Sequence, residues 1–241
     1  MFKEIKNFYN KIKVNKYTED REVGETPITH IRVFYKEYPR LISFSLSKVE
    51  VEDSEFHNLI RIRESYRDFS DLPLKFEDLS RILSSCKIID KLRQPEKRTY
   101  PSGGARFPVE LYYVSYNTEN LENGAYHYNI KKGSLEQLLK KDFSNMDKRE
   151  LISPYLENPA GTILFTSVIS RSEIKYGLRA YPYSLIEAGH MGQNILLSSS
   201  EIGVGACPVS GFVDKKVKKI LDLTENEIPI YSISLGNFKR T

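Results

Sequence analysis

Apolar and polar positions alternate along the chain in several rhythms, and each predicts a different kind of element. In the first sixteen residues Lys3, Lys6, Lys11, Lys13 and Lys16 stand opposite Phe2, Ile5, Phe8 or Tyr9, and Ile12, the pattern of a short basic amphipathic helix. Such a helix suits a membrane surface or an acidic partner. An arm docked on its own protein or on a dimer mate fits the same pattern and is the preferred reading. Residues 17–52, punctuated by Gly24, Pro27 and Pro39, read as irregular or extended. The chain is therefore expected to divide into an N-terminal extension, 1–52, and a main domain, 53–241.

The main domain opens with Phe56, Leu59 and Ile60 at helical spacing, behind Asp53 or Ser54 as N-cap. A second helix after Pro73 places Leu79, Ile82, Leu83 and Cys86 on one face. Val109–Tyr116 has the β-branched and aromatic content of a strand, and Ala125–Ile130 reads as its hairpin partner across an Asn123-Gly124 turn. Helices are expected at Ser134–Lys141 and Asp147–Leu156, then a buried strand at Thr162–Ile169. The longest element is a helix over Ser184–Glu201, with Leu185, Ala188, Met191 or Gly192, Ile195 and Leu196 on one stripe and Gly203 ending it. Asp214 caps a last helix that buries Val217, Ile220 and Leu221, and Ile228–Leu235 closes the chain as a strand. The mixture is α+β. It lacks the strand-helix alternation and the Gly-x-Gly-x-x-Gly loop of a dinucleotide-binding domain.

Composition narrows the function classes. The 241 residues are 40% hydrophobic and include 16 Tyr and 12 Phe, enough for a real core. A formal net charge of +4, interrupted by acidic residues almost everywhere, does not argue for nucleic acid. Cys86 and Cys207 form no Cys-x-x-Cys pair, and His30, His57, His127 and His190 have no ligand spacing, so no metal site is expected. No apolar run suits a membrane span and no signal-peptide core opens the chain, so a cytoplasmic location is expected.

Four segments carry candidate chemistry. In Arg63-Glu64-Ser65-Tyr66-Arg67, two guanidiniums flank a hydroxyl where a helix gives way to extended chain. That set suits phosphate oxygens or the carbonyl edge of a flat heterocycle, and it equally suits a helix C-terminus. In Tyr100-Pro101-Ser102-Gly103-Gly104-Ala105-Arg106, paired glycines let backbone approach a flat ligand, or form an ordinary tight turn. Lys175-Tyr176, ahead of Glu187-Ala188-Gly189-His190, offers two proton-transfer groups of different ordinary pKa. Gly203-Val204-Gly205-Ala206 presents small residues on which a ring system can lie.

In this order and spacing the four segments resemble the nitroreductase-like flavoenzymes. More narrowly, they resemble the branch that oxidises azolines in thiazole/oxazole-modified microcins, of the streptolysin S and microcin B17 type. The resemblance covers roughly residues 55–238, with Pro-Ser-Gly-Gly-Ala-Arg and Glu-Ala-Gly-His its most specific parts. It implies an α+β fold with a central mixed or antiparallel sheet flanked by helices, an interlocked homodimer, and flavin mononucleotide (FMN) sites at the subunit interface. It implies that Arg63, Ser65 and Arg67 contact FMN, and that Pro101, Ser102, Gly103 and Arg106 approach it, often from the partner subunit. It further implies that Gly203 and Gly205 lie against the ring, with Lys239 and Arg240 as phosphate counter-charge. Lys175 and Tyr176 match the lysine-tyrosine pair of the azoline-oxidising branch, with Lys175 as base and Tyr176 shuttling the proton or orienting the ring. Pro182 stands where the family usually shows a second arginine, and suits the N1 position of the following helix.

The activity implied is oxidation of thiazolines or oxazolines to thiazoles or oxazoles in a ribosomally made peptide. Its implied partners are the precursor peptide and the cyclodehydratase of a heterocycle synthetase complex. The closest rival is an NAD(P)H-dependent nitro- or quinone reductase. A non-enzymatic scaffolding member, which would be colourless, is the third reading.

Overall fold

The structure, a computed structural model, describes residues 2–14, 35–47, 54–152 and 156–239. In chain order its elements are α1 (Phe2–Ile12), α2 (Glu55–Ile62), α3 (Phe76–Ser84), a small ladder of β1 (Ile88–Asp90) and β2 (Lys97–Arg98), then β3 (Val109–Ser115), β4 (Gly124–Asn129) and β5 (Ser134–Lys140). There follow α4 (Asn145–Leu151), β6 (Gly161–Val168), α5 (Ser170–Tyr176), α6 (Ala180–Glu201), β7 (Gly205–Val209), α7 (Asp214–Ile220) and β8 (Glu227–Gly236). The main sheet has six strands in the order β5-β4-β3-β6-β8-β7, every neighbouring pair antiparallel.

Both faces of this sheet are covered, which explains why β3 and β6 read as nearly continuous apolar runs. Successive side chains of a strand point to opposite faces. Leu111, Tyr113, Ile163 and Phe165 point to a core shared with α3 and α6 through Leu79, Ile82, Met191 and Ile195. Tyr112, Val114 and Leu164 point to a second core with Leu151 of α4 and Val217 and Ile220 of α7. The expected α+β class, with a central sheet flanked by helices, is the observed one. The β3–β6 and β6–β8 ladders lie at its centre.

Several elements differ from the sequence reading. Ser134–Lys140 is the edge strand β5, paired with β4 from Gly124↔Lys140 to Asn129↔Ser134, where a helix was expected. Leu135, Leu138 and Leu139 have helical spacing, but hairpin pairing with β4 overrides it. Gly124 is the first residue of β4, opposite Ser115, so β3 and β4 are joined by residues 116–123 and not by a tight Asn-Gly turn. Asp214 is the first residue of α7, with Val213 as N-cap, and its carboxylate is used elsewhere. Pro182 lies in the first turn of α6, two residues inside its start at Ala180. There, as at N1, no intrahelical N–H is lost. Gly205–Val209, a segment given no element in the sequence reading, is the second edge strand.

The two helices at the start of the chain behave oppositely. Ile5 and Tyr9 of α1 are buried in a cluster with Ile169, Ala180 and Ile228. Tyr9 donates to Asp214 Oδ1 (2.5 Å), while the Val14 N–H donates to Asp214 Oδ2 (2.7 Å). The amphipathic segment is thus docked on its own chain. By contrast, α2 is capped by Ser54, whose hydroxyl accepts from the His57 N–H, yet it buries none of its residues. Phe56 and Ile60, two of the apolar residues at helical spacing, are 59% and 47% exposed.

Candidate active site

The sequence-predicted residues gather into two groups. The first lies along the β7 edge. Arg63 caps α2 in an extended conformation, which turns Ser65 and Arg67 onto a strand-like path. That path is fixed where the Tyr66 N–H donates to the Ala206 carbonyl (2.9 Å). The Tyr66 ring packs edge-on against Phe69 and Phe238, centroids 5.7 and 4.5 Å away. A Cβ at Gly205 would lie 2.9 Å from Tyr66 Cδ1 and 3.1 Å from the Gly236 carbonyl oxygen. Internal packing therefore requires glycine at 205, whatever lies on the outer face. Gly203 sits just past the C-cap of α6 at φ +71, with open space where a side chain would be.

The charges in this group are arranged unevenly. Among the described residues, the Arg63 guanidinium makes no hydrogen bond or ion pair. Among the same residues Arg67 reaches only the backbone two positions earlier, Nη1 donating to the Ser65 carbonyl (3.2 Å). Lys239 is pinned by its backbone, its N–H donating to the Tyr66 hydroxyl (2.9 Å), and its ammonium pairs with Asp68 (3.2 Å). Arg240 lies outside the described residues.

The second group is a loop against a helix end. Residues 102–106 make a tight turn in which Gly104 has φ +60, a conformation glycine adopts without steric cost. Ala105 at φ +54 and Phe107 at φ +46 share that left-handed region, which costs a residue with a side chain roughly 1–3 kcal/mol. Three contacts hold the loop in this shape. The Phe107 N–H donates to Ser102 Oγ (2.9 Å), and Arg106 Nε donates to the Arg171 carbonyl (2.9 Å). Arg171 in turn donates to the Phe107 carbonyl (3.0 Å) and pairs with Glu110.

Lys175 and Tyr176 close over this loop. They are the last residues of α5, which stops because Gly177 at φ +56 turns the chain. A Cβ on Gly104 would collide with the Tyr176 hydroxyl and lie 3.0 Å from Lys175 Nζ. The Tyr176 ring stacks edge-on with Tyr183 of α6 (5.0 Å), and Lys175 Nζ stands 5.3 Å from the Tyr176 ring centre.

Three residues of this group were not among the predicted contacts: Gly104, Arg171 and Glu187. Glu187 is 2% exposed, at the base of the loop, with Oε1 accepting weakly from the Val109 N–H (3.4 Å) and Oε2 without a partner among the described residues. Burial pushes its carboxyl up to about 7, against the opposing influence of Ser102, the Val109 N–H, Arg98 and Arg171. The signal for Glu187 was in the sequence. It is a charged residue on the helical stripe of Ser184, Ala188 and Met191, all buried.

A profile of the nitroreductase family matches residues 60–237, which span both groups. The chain belongs to the nitroreductase family. Members of this family are oxidoreductases that generally bind flavin. The nitroreductase chain described here is 25% identical over 188 residues to the putative nitroreductase MJ1384 of Methanocaldococcus jannaschii, covering 78% of this chain and 93% of that protein. It is 28% identical over 250 aligned positions to the microcin B17-processing protein McbC of Escherichia coli, covering 93% of this chain and 85% of that one. Among solved structures, it superposes with a TM-score of 0.78 on a chain of the Escherichia coli microcin synthetase McbBCD complex with truncated pro-MccB17 bound. That match has 23% identity and covers 99% of this chain and 93% of the other.

The donor set fits a flavin nucleotide. Guanidiniums without carboxylate partners, beside a glycine-bearing strand edge, can receive a phosphate without first breaking an ion pair. The loop at Ser102–Gly103 leaves backbone open to a flat ring.

Proposed function

We propose that this protein is an FMN-dependent dehydrogenase that oxidises thiazoline or oxazoline rings in a ribosomally synthesised peptide. The observation that carries the reading is the convergence of Lys175 and Tyr176 on Gly104, which puts an amine and a phenol on the loop where a flavin-bound substrate would lie. Similarity to McbC over nearly the whole chain supports a role in microcin-type peptide processing. FMN, when bound, supplies the hydride acceptor.

The chain's own residues then have separate tasks. Arg63, Ser65 and Arg67 hold the flavin at the β7 edge, with Gly203, Gly205 and Lys239 beside them. Pro101, Ser102, Gly103 and Arg106 cover the ring. Lys175 removes the proton from the azoline carbon next to the one that loses hydride, and Tyr176 orients the ring and relays the proton. A general base so placed contributes about 10²–10⁴-fold.

A second copy of the chain completes the site in this reading. The exposed Phe56 and Ile60 of α2 and Leu185 and Ile186 of α6 form the apolar face of a homodimer. The precursor peptide and a cyclodehydratase are the remaining partners.

The test is direct. Purified protein should be yellow with bound FMN, and Lys175→Ala should lose turnover on an azoline-containing peptide while keeping its flavin. Loss of the flavin in that variant, or wild-type turnover, would refute the assignment. The similarity to a putative nitroreductase favours one rival, an NAD(P)H-dependent reductase. Rapid reduction by NAD(P)H in stopped flow, without action on azoline peptide, would establish that rival.

A further inference from the structure

Glu187 is left without a task by the activity proposed above, although its position is costly. A buried carboxyl with an unpartnered oxygen is destabilising unless something compensates, and such groups mark places where polar chemistry is needed. The Val109 N–H donates weakly to its Oε1 (3.4 Å), and the Ser102 hydroxyl faces the same carboxyl and acts to lower it, while Oε2 stays unpartnered among the described residues.

Ser102 is short of bonding positions. A hydroxyl has one donor and two acceptor sites. One acceptor site is taken by the Phe107 N–H at 2.9 Å. One donor and one acceptor remain, to be divided between Glu187 on the inner side and a ligand on the outer side. A protonated Glu187 donates inward to Ser102, which leaves the Ser102 O–H for the ligand. An ionised Glu187 takes the Ser102 proton for itself and leaves the ligand a lone pair.

We infer that Glu187 is a positioning residue that makes the Ser102 hydroxyl a hydrogen-bond donor to the flavin, and that ionising Glu187 reverses the direction of that bond. The inference rests on the reading that Ser102 faces FMN.

The groups facing Glu187 do not duplicate this behaviour. Arg98 and Tyr100 approach from the chain before the loop. Arg98 is held by Glu96 and by the Tyr100 hydroxyl (3.0 Å), and burial raises the Tyr100 phenol. Arg171 approaches from α5, already engaged by Glu110 and the Phe107 carbonyl. Of these facing groups, the Glu187 carboxyl, pushed up to about 7, is the one placed to change between pH 6 and 8.5.

The experiment is a fluorescence titration of FMN into flavin-free full-length protein between pH 6 and pH 8.5, for wild type, Glu187→Gln and Ser102→Ala. Wild-type affinity should fall roughly fivefold across this range, the worth of one hydrogen bond. Glu187→Gln, whose amide always donates, should hold the acid-side affinity throughout. Ser102→Ala should stay at the weak value, so that any titration of FMN itself is subtracted. An infrared difference spectrum between the two pH values should show a carboxyl band that Glu187→Gln lacks. Wild-type pH dependence persisting in Glu187→Gln, or a wild-type curve no steeper than that of Ser102→Ala, overturns this inference alone. Failure of the folded wild type to bind FMN at any pH overturns the flavin reading, and this inference with it.

Discussion

The backbone of Gly104 lies directly beneath the hydroxyl of Tyr176, so closely that a Cβ at 104 would collide with it. The same Cβ would stand 3.0 Å from Lys175 Nζ. Gly104→Ala should therefore push the lysine-tyrosine pair off the loop while leaving the β7-edge group untouched. Because the position also has φ +60, alanine there adds about 1 kcal/mol of strain. The expected outcome is at least a tenfold fall in turnover on azoline peptide, a lower melting temperature and an undiminished flavin content. Wild-type turnover in this variant would show that the contact has no part in the chemistry.

Arg63 and Arg67 should behave in the opposite way. Neither guanidinium bonds a carboxylate among the described residues, so their removal costs the fold little. A lost charged hydrogen bond to FMN corresponds to about 1.5–3 kcal/mol, or roughly 10- to 100-fold in affinity. Arg63→Ala and Arg67→Ala should each be purified with reduced flavin, with melting temperatures of the flavin-free proteins unchanged. A loss of flavin affinity that vanishes at high salt would point to a diffuse charge effect and away from a bound phosphate.

How much of this was legible in the sequence depended on which force fixed each feature. The buried strands β3 and β6 and the long helix α6 were readable because core packing dictates their apolar pattern. The Ser134–Lys140 strand was not, since its leucines have helical spacing and only pairing with β4 makes it a strand. The apolar positions of α2 were legible as a helical pattern, but no core among the described residues covers them. In the site, Gly104 was missed beside Gly103 because sequence gives no sign of which of two adjacent glycines receives the tyrosine. Glu187 stands on the buried stripe of α6, yet its significance lies in its proximity to Ser102, distant in sequence. Such dependence on tertiary neighbours is what a linear pattern cannot carry.

The uncovered side of α2 gives a third prediction. Phe56, Ile60, Leu185 and Ile186 expose apolar surface on two helices that pack on each other. If a second copy buries that surface, Ile186→Glu forces an unpaired charge into the interface. Sedimentation should then show a dimer for the wild type and a monomer for the variant, with flavin lost on dissociation. A wild-type monomer that still binds FMN would remove the homodimer from the proposal.

A fourth concerns the docked N-terminal helix, which touches the Gly177–Arg179 turn just past the lysine-tyrosine pair. Tyr9→Phe deletes the hydrogen bond to Asp214 and leaves a buried carboxylate underserved, at a cost of about 1–3 kcal/mol. Burial raises the Asp214 carboxyl and the Tyr9 bond lowers it, so the variant's Asp214 should rise further. A carboxyl raised on folding holds its proton better in the folded state. Its stabilising effect is present at low pH and is lost as pH climbs from the unfolded value through the folded one. The deficit of Tyr9→Phe in thermal unfolding should thus be larger at pH 7 than at pH 4.5. An equal deficit at both would mean that lost packing, and not the carboxylate, is responsible.

The last prediction links sheet chemistry to the loop. His127 Nε2 lies 3.1 Å from Glu110, its Nδ1 lies 3.3 Å from Glu136, and Glu110 also pairs with Arg171, whose carbonyl holds Arg106. The bonds to Glu110, and after them to Glu136, raise the His127 imidazole above its usual value despite half-burial. A histidine raised on folding stabilises fully below its unfolded value of about 6.5 and loses that contribution as pH rises through the folded value. Thermal stability of the wild type should therefore decline above pH 6.5, and His127→Gln should flatten that limb. Because Glu110 shares Arg171 with the loop, the wild type should also lose amide-exchange protection, relative to the intrinsic rate at each pH, at residues 106 and 107 as His127 deprotonates. Unchanged protection there, with the stability limb present, would confine His127 to the sheet.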